Sequence, residues 1–424
     1  MRPIRTGLRG LGAVAVAGML ALAAPHTAAA EDKGGGQHGG GRPGKPKPAA
    51  TQGAEAWGRN ATGQLGIGTA GEERPRDTAV TVHIPEHVLS VAAGHDHGLA
   101  LLTNGTVKAW GLNTSGQLGY GNPAGADTSQ PEPGNVAGLG SVKAVAAGRA
   151  HSLALLGSGA VMTWGANDRG QLGDGTTVQR NRPVAVTALT GRKVTAIAAG
   201  ADFSLALLAD GTLRAWGDNT FGQLGTGTAG TAPEPTPVVV AGLTGVKIKA
   251  IDAGDTHSLA VTAAGGVKGW GSNQFGQVGN GNQVSPQPTP VDVLGLGGVR
   301  VKAVSGGSDF SLALLTNGRV KGWGANASGQ LGDGTTTSPR LTPVDAVGLT
   351  GVKAISAGSA PAAAAGLGHS LAVAGNTVKA WGYNNYGQLG DGNLPVSSPV
   401  PVTVRTGLKD PKSVSAGMLF SLAS

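Results

Sequence analysis

Short segments of alternating apolar and small or polar residues recur along this chain at a nearly constant interval. Within positions 192–225, one such segment covers 193–200, a second covers 203–208 and a third covers 212–217. Alternation with a period of two predicts β-strands. A fourth segment, 235–240, begins with proline, which is typical of an edge strand because a missing N–H group costs little there. Four short antiparallel strands in one unit predict a β-propeller blade.

The connection between the second and third strands is a turn signal. Asp210-Gly211 predicts a tight hairpin turn with positive φ angles, and similar pairs stand at Asn104-Gly105 and Asn317-Gly318. No long helical period follows residue 52, which disfavours an all-α solenoid.

Tryptophan marks the repeat. The chain has seven Trp, each followed by Gly, and they are separated by 53, 54, 52, 54, 53 and 58 residues. A fixed period of this length indicates a repeat architecture. We expect each indole to fill the gap between neighbouring blades, with a hydrogen-bond partner there for its N–H group. These residues are Trp57, Trp110, Trp164, Trp216, Trp270, Trp323 and Trp381.

The two ends of the repeat region each hold half of a hairpin. No Ser-Leu-Ala strand precedes Trp57, and no Trp-Gly strand follows 420–424. Pairing 55–57 with 421–423 completes a seventh blade and removes both exposed sheet edges. The sequence therefore predicts an all-β fold, a seven-bladed β-propeller over 52–424 closed by pairing of its N- and C-terminal strands.

The first 51 residues are not expected to join this fold. Arg2, Arg5 and Arg9 precede an apolar stretch over 11–24 and small residues at 28–30, a pattern typical of a secretory signal peptide over 1–30. The apolar stretch is too short to predict a membrane span. Residues 31–51 are rich in Gly, Pro and Lys and predict a flexible linker. We therefore expect a secreted, extracellular protein.

Charge and cysteine content narrow the partner classes. The formal net charge is +8, of which the signal peptide and linker carry five, so the propeller keeps about three scattered positive charges. We expect no nucleic-acid partner from so small an excess. The chain has no Cys, so no disulfide bond can stabilise it and its stability should come from burial alone.

We expect the protein to be a monomer.

Two linked motifs carry a family resemblance. Ala-Gly-x-x-His-Ser-Leu-Ala-Leu at 147–155 precedes Trp-Gly-x-Asn-x-x-Gly-Gln-Leu-Gly at 164–173, and variants recur through 54–424. This pattern resembles the regulator of chromosome condensation repeat family. The resemblance implies a seven-bladed propeller that binds proteins, with one eukaryotic branch acting as a nucleotide-exchange factor for a small GTPase. Predicted export argues against that activity and favours a secreted bacterial branch.

A secreted bacterial branch of similar propellers inhibits β-lactamases with aromatic residues on one face. Here, the corresponding positions hold no aromatic residue, so no inhibitory residue is carried over. They are Asp96, Ala150, Asp202, Thr256, Asp309, Gly368 and Leu419.

Positions that differ between blades are the candidates for partner binding. The loops that follow the Trp strands vary in aromatic, Arg and Gln content, and aromatic and Arg side chains are enriched at interface hot spots. Packing of the rings under their own loops is an equal alternative. The candidates are Arg169, Phe221, Gln274, Phe275, Tyr383 and Tyr386.

A second candidate set is acidic. Asp96, Asp202 and Asp309 occupy alternate blades at strand ends that should converge near the propeller mouth. Three carboxylates there could hold a cation or meet a basic partner, and turn-forming Asp with solvated carboxylates is the favoured alternative. The segment 359–365 interrupts the repeat and predicts a protruding loop.

Catalytic and metal chemistry are not expected. His97, His151, His257 and His369 alternate with Phe at one repeat position, which indicates packing. Each of the last three precedes a Ser, but adjacent strand residues point to opposite faces and cannot form a nucleophile–base pair. No phosphate-binding motif or zinc spacing is found.

These patterns favour a non-enzymatic propeller, without cofactor or metal, that binds an extracellular or cell-surface protein. A cell-wall or carbohydrate-binding module is the alternative. A β-lactamase inhibitor is a subtype of the first hypothesis.

Overall fold

The computed structural model describes residues 53–71, 75–122, 128–361 and 366–424. The predicted signal peptide and linker lie outside these ranges. In the described part of the chain, no helix is long and apolar enough to span a bilayer.

Seven four-stranded antiparallel sheets make up the fold. Two strands, β1 (Glu55–Gly58) and β2 (Arg76–Thr81), precede the first complete blade. Blades 1 to 3 follow in chain order, each from its innermost to its outermost strand. They are β3 (Val88–Ala93), β4 (His97–Leu102), β5 (Val107–Leu112) and β6 (Ser129–Asn135); β7 (Val142–Ala147), β8 (His151–Leu156), β9 (Val161–Gly165) and β10 (Arg180–Ala185); β11 (Val194–Ala199), β12 (Phe203–Leu208), β13 (Leu213–Asn219) and β14 (Gly230–Val239).

Blades 4 to 6 repeat this order, and the last two strands complete the closing blade 7. A 3₁₀ turn, Thr187–Leu189, lies between blades 2 and 3. The strands are β15 (Ile248–Ala253), β16 (His257–Thr262), β17 (Val267–Gly271) and β18 (Gln287–Asp292); β19 (Val301–Gly306), β20 (Phe310–Leu315), β21 (Val320–Gly324) and β22 (Arg340–Asp345); β23 (Val352–Ala357), β24 (His369–Ala374), β25 (Thr377–Gly382) and β26 (Ser398–Thr403); and β27 (Val414–Ala416) and β28 (Phe420–Ala423).

The blades form a closed ring. Each innermost strand contacts the innermost strand of the next blade, and β27 contacts β3, which returns the series to its start. Blade 7 has the strand order β2-β1-β28-β27. Its central register pairs Glu55 with Ala423, Ala56 with Leu422 and Trp57 with Ser421. The predicted fold and its predicted closure are both confirmed.

The tryptophans hold neighbouring blades together. All seven are fully buried, and each indole N–H donates to the backbone carbonyl of a Gln in the preceding blade at 2.8 to 2.9 Å. The predicted position and the predicted N–H partner are therefore both seen. Each of those Gln side chains accepts a hydrogen bond from the backbone N–H two residues before it, as in Phe221 to Gln223 at 2.8 Å.

Two local details differ from the sequence prediction. Gly211 has a φ of +87°, but Asp210 does not have a positive φ. Leu208 donates to the Thr212 carbonyl at 2.9 Å, so the loop has three residues and needs only its glycine in the left-handed region. The outer strand β14 begins at Gly230 rather than at residue 235, since an outermost strand tolerates the additional prolines.

The four repeat histidines are buried, as the packing interpretation predicted, but they also bond across blades. His151 Nε2 lies 3.1 Å from Ser204 Oγ, and that hydroxyl donates to the Gln171 carbonyl at 2.9 Å. Adjacent residues of one strand cannot form such a His–Ser pair, but residues of neighbouring blades do, which the order of residues along the chain did not indicate. Burial lowers the pKa of His97, His151 and His369 to about 3 and that of His257 to about 4.

Candidate functional site: the loop face of the propeller

Two sets of loops lie at one end of the propeller. The first connects each innermost strand to the next strand, and the second follows each Trp-Gly pair. They are tied together in every blade by one backbone hydrogen bond, such as that from Asp218 N–H to the Asp202 carbonyl at 2.9 Å. We call this end the loop face. The opposite end, formed by the hairpin turns and the connections between blades, is the hairpin face.

The loop face brings both candidate sets to the same side of the molecule. The aromatic and Arg candidates belong to the loops after the Trp strands, and the Asp candidates belong to the loops beside them. The sequence did not indicate which face either set occupies, because that depends on the path of the closed ring.

The six variable-loop candidates differ in exposure. Arg169, Gln274 and Tyr386 are exposed, with 38% of Tyr386 accessible to solvent. Phe221, Phe275 and Tyr383 are half-buried. The ring of Phe275 lies against Gly366, where an added Cβ would be 3.2 Å from it.

These residues are distributed around the loop face and do not form one cluster. Arg169 belongs to blade 2, Phe221 to blade 3, Phe275 to blade 4 and Tyr386 to blade 6. A partner that contacts several of them must therefore cover a large part of the loop face.

Each of the three Asp candidates forms an ion pair or a hydrogen bond with a neighbouring residue. Asp96 Oδ1 lies 3.3 Å from Arg59 Nη1 and accepts from Gln64 Nε2 at 3.1 Å. An ion pair of 3.1 Å joins Asp202 to Arg149.

Asp309 is held by the backbone N–H of Gly366, which donates to Oδ2 at 3.0 Å. Burial raises the pKa of all three carboxyls, and the neighbouring Arg59, Arg149 or Gly366 N–H group opposes part of that rise. Within the described ranges, no three His, Cys, Asp or Glu side chains are grouped as a metal site would need.

A polar network crosses the mouth of the central channel on this face. His95 Nε2 of blade 1 lies 3.3 Å from Asp255 Oδ1 of blade 4, and Ser359 Oγ of blade 6 donates to the same oxygen at 2.6 Å. Burial alone would raise the pKa of Asp255, but His95 and hydrogen bonds from Ser359 and Ser308 outweigh it and the pKa is lowered. A cavity of about 110 Å³ lies in the channel.

The order of groups in this network determines its chemistry. The hydroxyl of Ser359 donates to the carboxylate and not to the imidazole. In a nucleophilic triad the imidazole lies between the other two groups and takes the hydroxyl proton. Here the carboxylate lies between them, so the network connects three blades without activating the serine.

The insertion at 359–365 contributes to this mouth. Ser359 bonds to Asp255, Ala360 is buried, and Gly366 immediately after the insertion contacts Asp309 and Phe275. Its first residues therefore pack onto the loop face rather than protrude from it. Residues 362–365 lie outside the described ranges.

Comparison with known proteins agrees with this architecture. A family model described as the RCC1-like domain matches residues 54–423. The chain belongs to the RCC1-like domain family.

Two curated relatives of this RCC1-like protein differ greatly in length. It is 33% identical to the ultraviolet-B receptor UVR8 of Arabidopsis thaliana over 331 residues, which are 78% of this chain and 72% of that protein. It is 35% identical to the human E3 ubiquitin-protein ligase HERC2 over 286 residues, which are 66% of this chain but only 6% of that protein.

Solved structures show the same RCC1-like architecture. Human WBSCR16 superimposes with a TM-score of 0.75 at 25% identity, covering 87% of this chain and 98% of that one. Prp20p of Saccharomyces cerevisiae gives 0.76 at 21% identity, covering 88% and 92%. The latter likeness shows the fold alone. The Prp20p structure is described together with its binding to Gsp1p and histones.

Within this RCC1-like propeller, sequence reasoning missed the links between distant blades. In the sequence, His95 and Asp255 are only neighbours of the repeat position that carries the Asp set, and Ser359 is only the start of an insertion. Their contact spans 160 residues for His95 and 104 for Ser359. A blade-by-blade alignment identifies such positions as variable, but it gives no distance across the channel.

Proposed function

We propose that this RCC1-like propeller is a non-enzymatic scaffold that binds a protein partner through its loop face. The observation that carries the proposal is the display of Arg169, Gln274 and Tyr386 as exposed side chains around the channel mouth. Exposed Tyr and Arg in such positions supply much of the binding energy of protein interfaces.

The arrangement of polar groups supports a non-enzymatic role. The His–Ser pairs between blades are buried, and each of those serine hydroxyls donates to a backbone carbonyl, as in Ser204 to Gln171. The Ser359 hydroxyl donates to Asp255. None of these serines donates to a histidine that could act as its base. Prp20p, which has the same fold, is described with the partners Gsp1p and histones.

The proposal includes export of the protein to the extracellular space. It rests on the basic, apolar and small-residue order of positions 1–30. Mass spectrometry of the culture medium should find a mature N-terminus directly after residue 30. Recovery of the protein only inside cells, with Met1 or Arg2 at its N-terminus, contradicts export.

Affinity capture from culture fluid, followed by a direct binding measurement, tests the loop face. We expect the double substitution Arg169→Ala and Tyr386→Ala to weaken binding of the captured protein at least tenfold, about 1.4 kcal/mol or more. A β-lactamase panel should be titrated in parallel, and no inhibition at micromolar protein removes that subtype.

A matched double substitution on the other end controls for general effects. Arg319→Ala and Val239→Ala remove an exposed Arg and an exposed apolar side chain from the hairpin face. This variant should bind the partner as the unchanged protein does. If it loses binding while the loop-face variant keeps it, the assignment of the face is wrong.

A further inference from the structure

Lysine occupies one repeat position near the hairpin face in five of the seven innermost strand segments. In blades 2, 4, 5 and 6 the position coincides with a register shift, for example between Val142 and Ala144 or between Val301 and Ala303. Such a bulge leaves one residue unpaired, and its side chain can then point into solvent. The five residues are Lys143, Lys249, Lys302, Lys353 and Lys412.

The fifth lysine corresponds to the others by register. Ser415 pairs with Leu422 in blade 7 as Ser356 pairs with Leu371 in blade 6. Lys412 and Lys353 each lie three residues before those serines. Since the innermost strands surround the channel, the five lysines form a ring around its hairpin-face opening, and we call them the lysine ring.

The charge of this ring is largely uncompensated. Among described residues, four ring members make no ion pair, and the fifth, Lys412, pairs with Asp410. All members of the ring are exposed except Lys249, which is half-buried. Burial lowers the pKa of Lys249, and the nearby Arg300 adds to this shift.

A second set of lysines on the same end behaves differently. Lys108, Lys268 and Lys321 lie one strand pair further out, and each meets an acidic side chain. The partners are Glu86 at 3.1 Å, Asp292 at 2.9 Å and Asp345 at 3.2 Å. The lysine ring is therefore less neutralised by neighbouring carboxylates than this second set.

The surroundings of the ring narrow the class of anion. The seven Trp and three of the five Phe are buried between blades, and Phe221, Phe275, Tyr383 and Tyr386 belong to the loop face. Tyr120 bonds to the outer strand β6 through Gly134. In the described chain, no Trp, Phe or Tyr side chain is thus available on the hairpin face to stack on a nucleic-acid base. Its short turns also offer no helix or ribbon to enter a DNA groove.

We propose that the lysine ring binds a flexible anionic polymer with repeated phosphodiester groups and no aromatic bases. Lysine ammonium groups are point charges on flexible stems, so they can follow phosphates whose spacing is not fixed. A ring of such groups suits a chain that bends around the channel opening. The inference is independent of the protein partner proposed for the loop face, because it uses the opposite end of the molecule.

Binding of purified poly(glycerol phosphate) to the whole protein, measured by calorimetry across salt concentrations, tests this proposal. The triple substitution Lys249→Gln, Lys302→Gln and Lys353→Gln should weaken binding at least tenfold at low salt. It should also reduce the slope of log K against log salt by about 2, at about 0.7 for each phosphate that is no longer neutralised. The corresponding triple Lys→Arg variant should retain binding, which separates the effect of charge from misfolding.

The paired lysines provide a control with the same change in net charge. Lys108→Gln, Lys268→Gln and Lys321→Gln together should change affinity by less than threefold. Equal weakening in both Gln variants would overturn the assignment to the ring. Tighter binding of duplex DNA or of phosphatidylglycerol vesicles than of poly(glycerol phosphate), through the same lysines, would overturn the proposed polymer class.

Discussion

One backbone carbonyl in each blade junction accepts two hydrogen bonds from the next blade. The Gln171 carbonyl receives the Trp216 indole N–H at 2.9 Å and the Ser204 hydroxyl at 2.9 Å. Blade 1 is the exception, because glycine replaces the serine at position 98. A Cβ at Gly98 would lie 2.5 Å from the Trp110 ring. The repeated Trp, Ser and Gln therefore act as one junction, which explains why they recur together.

The buried histidines at these junctions make stability depend on pH. Their pKa values, lowered to about 3 or 4 in the fold, compare with 6.5 in the unfolded chain. The unfolded chain therefore binds more protons between these values, so stability is full above pH 6.5 and falls as the pH drops towards 4. Burial raises the pKa of Asp252 to about 6, which opposes this trend by one proton.

We expect His151→Phe to remove one of these proton-linked effects. Phe203 and Phe310 fill the same repeat position, and the serines of the blades after them still donate to the Gln carbonyl. The decrease in unfolding free energy between pH 7 and pH 5 should shrink by about 2 kcal/mol, as measured by urea denaturation. His87→Gln, at an exposed position, should leave that decrease unchanged. An undiminished decrease in His151→Phe would contradict this account.

In part of the ring, backbone N–H groups at the edges of the innermost strands donate hydrogen bonds to side chains of the preceding blade. The innermost strands of blades 4 to 7 each use one side-chain oxygen to accept a backbone N–H from the next blade. Examples are Asp252 to Gly306 at 3.0 Å and Ser356 to Ala416 at 3.0 Å. Blades 1 to 3 carry Ala92, Ala146 and Ala198 at this position. The two halves of the ring are therefore joined differently at the centre.

Removing one of these acceptors should destabilise the fold. Ser356→Ala leaves the Ala416 N–H without its partner, and we expect a cost of about 1 kcal/mol in urea denaturation. Ser398→Ala is the matched control, because that exposed hydroxyl bonds within its own outer strand. The control should change stability by less than half as much. Equal losses of unfolding free energy in the two variants would show that the hydrogen bond between blades contributes no more to stability than the one within the outer strand.

At the level of elements, the sequence predicted most of the blade correctly. The alternation of apolar and small residues located three inner strands within one or two residues, because their two faces differ in burial. It located the start of the outer strand β14 poorly, since an edge strand needs no regular alternation. Asp210-Gly211 marked a turn, but a dipeptide does not distinguish a two-residue loop from the three-residue loop observed.

For the whole molecule, closure should make the ring cooperative. Deleting residues 417–424 removes β28, including the fully buried Phe420 and Leu422, and leaves β1 and β27 without their shared neighbour. We expect a lower melting temperature with a single transition for all blades. Deleting residues 1–51 is the control and should leave the melting temperature unchanged. A truncated protein that melts like the full chain would contradict cooperative closure.

The sequence predicted the ring but not its two different ends. The fold groups Asp202, Asp255 and Asp309 at the loop face and the lysine ring at the hairpin face, although charges of the opposite sign are also present at each end. The first and last residues of one strand lie at opposite ends of a blade although they are only a few positions apart in the chain, so a linear count of charge averages them away. Only a register assigned to every blade, including the closing one, recovers this separation.

The composition of blade 7 also sets an order of events during synthesis. Its β1 strand leaves the ribosome early and waits for β28, whose paired residues come more than 350 positions later. During translation the growing chain can form successive hairpins, but it has no finished torus until the last pair of strands emerges. A pause near the end of the message would therefore accumulate an open, edge-exposed arc that is vulnerable to proteases and to mispairing with other nascent chains.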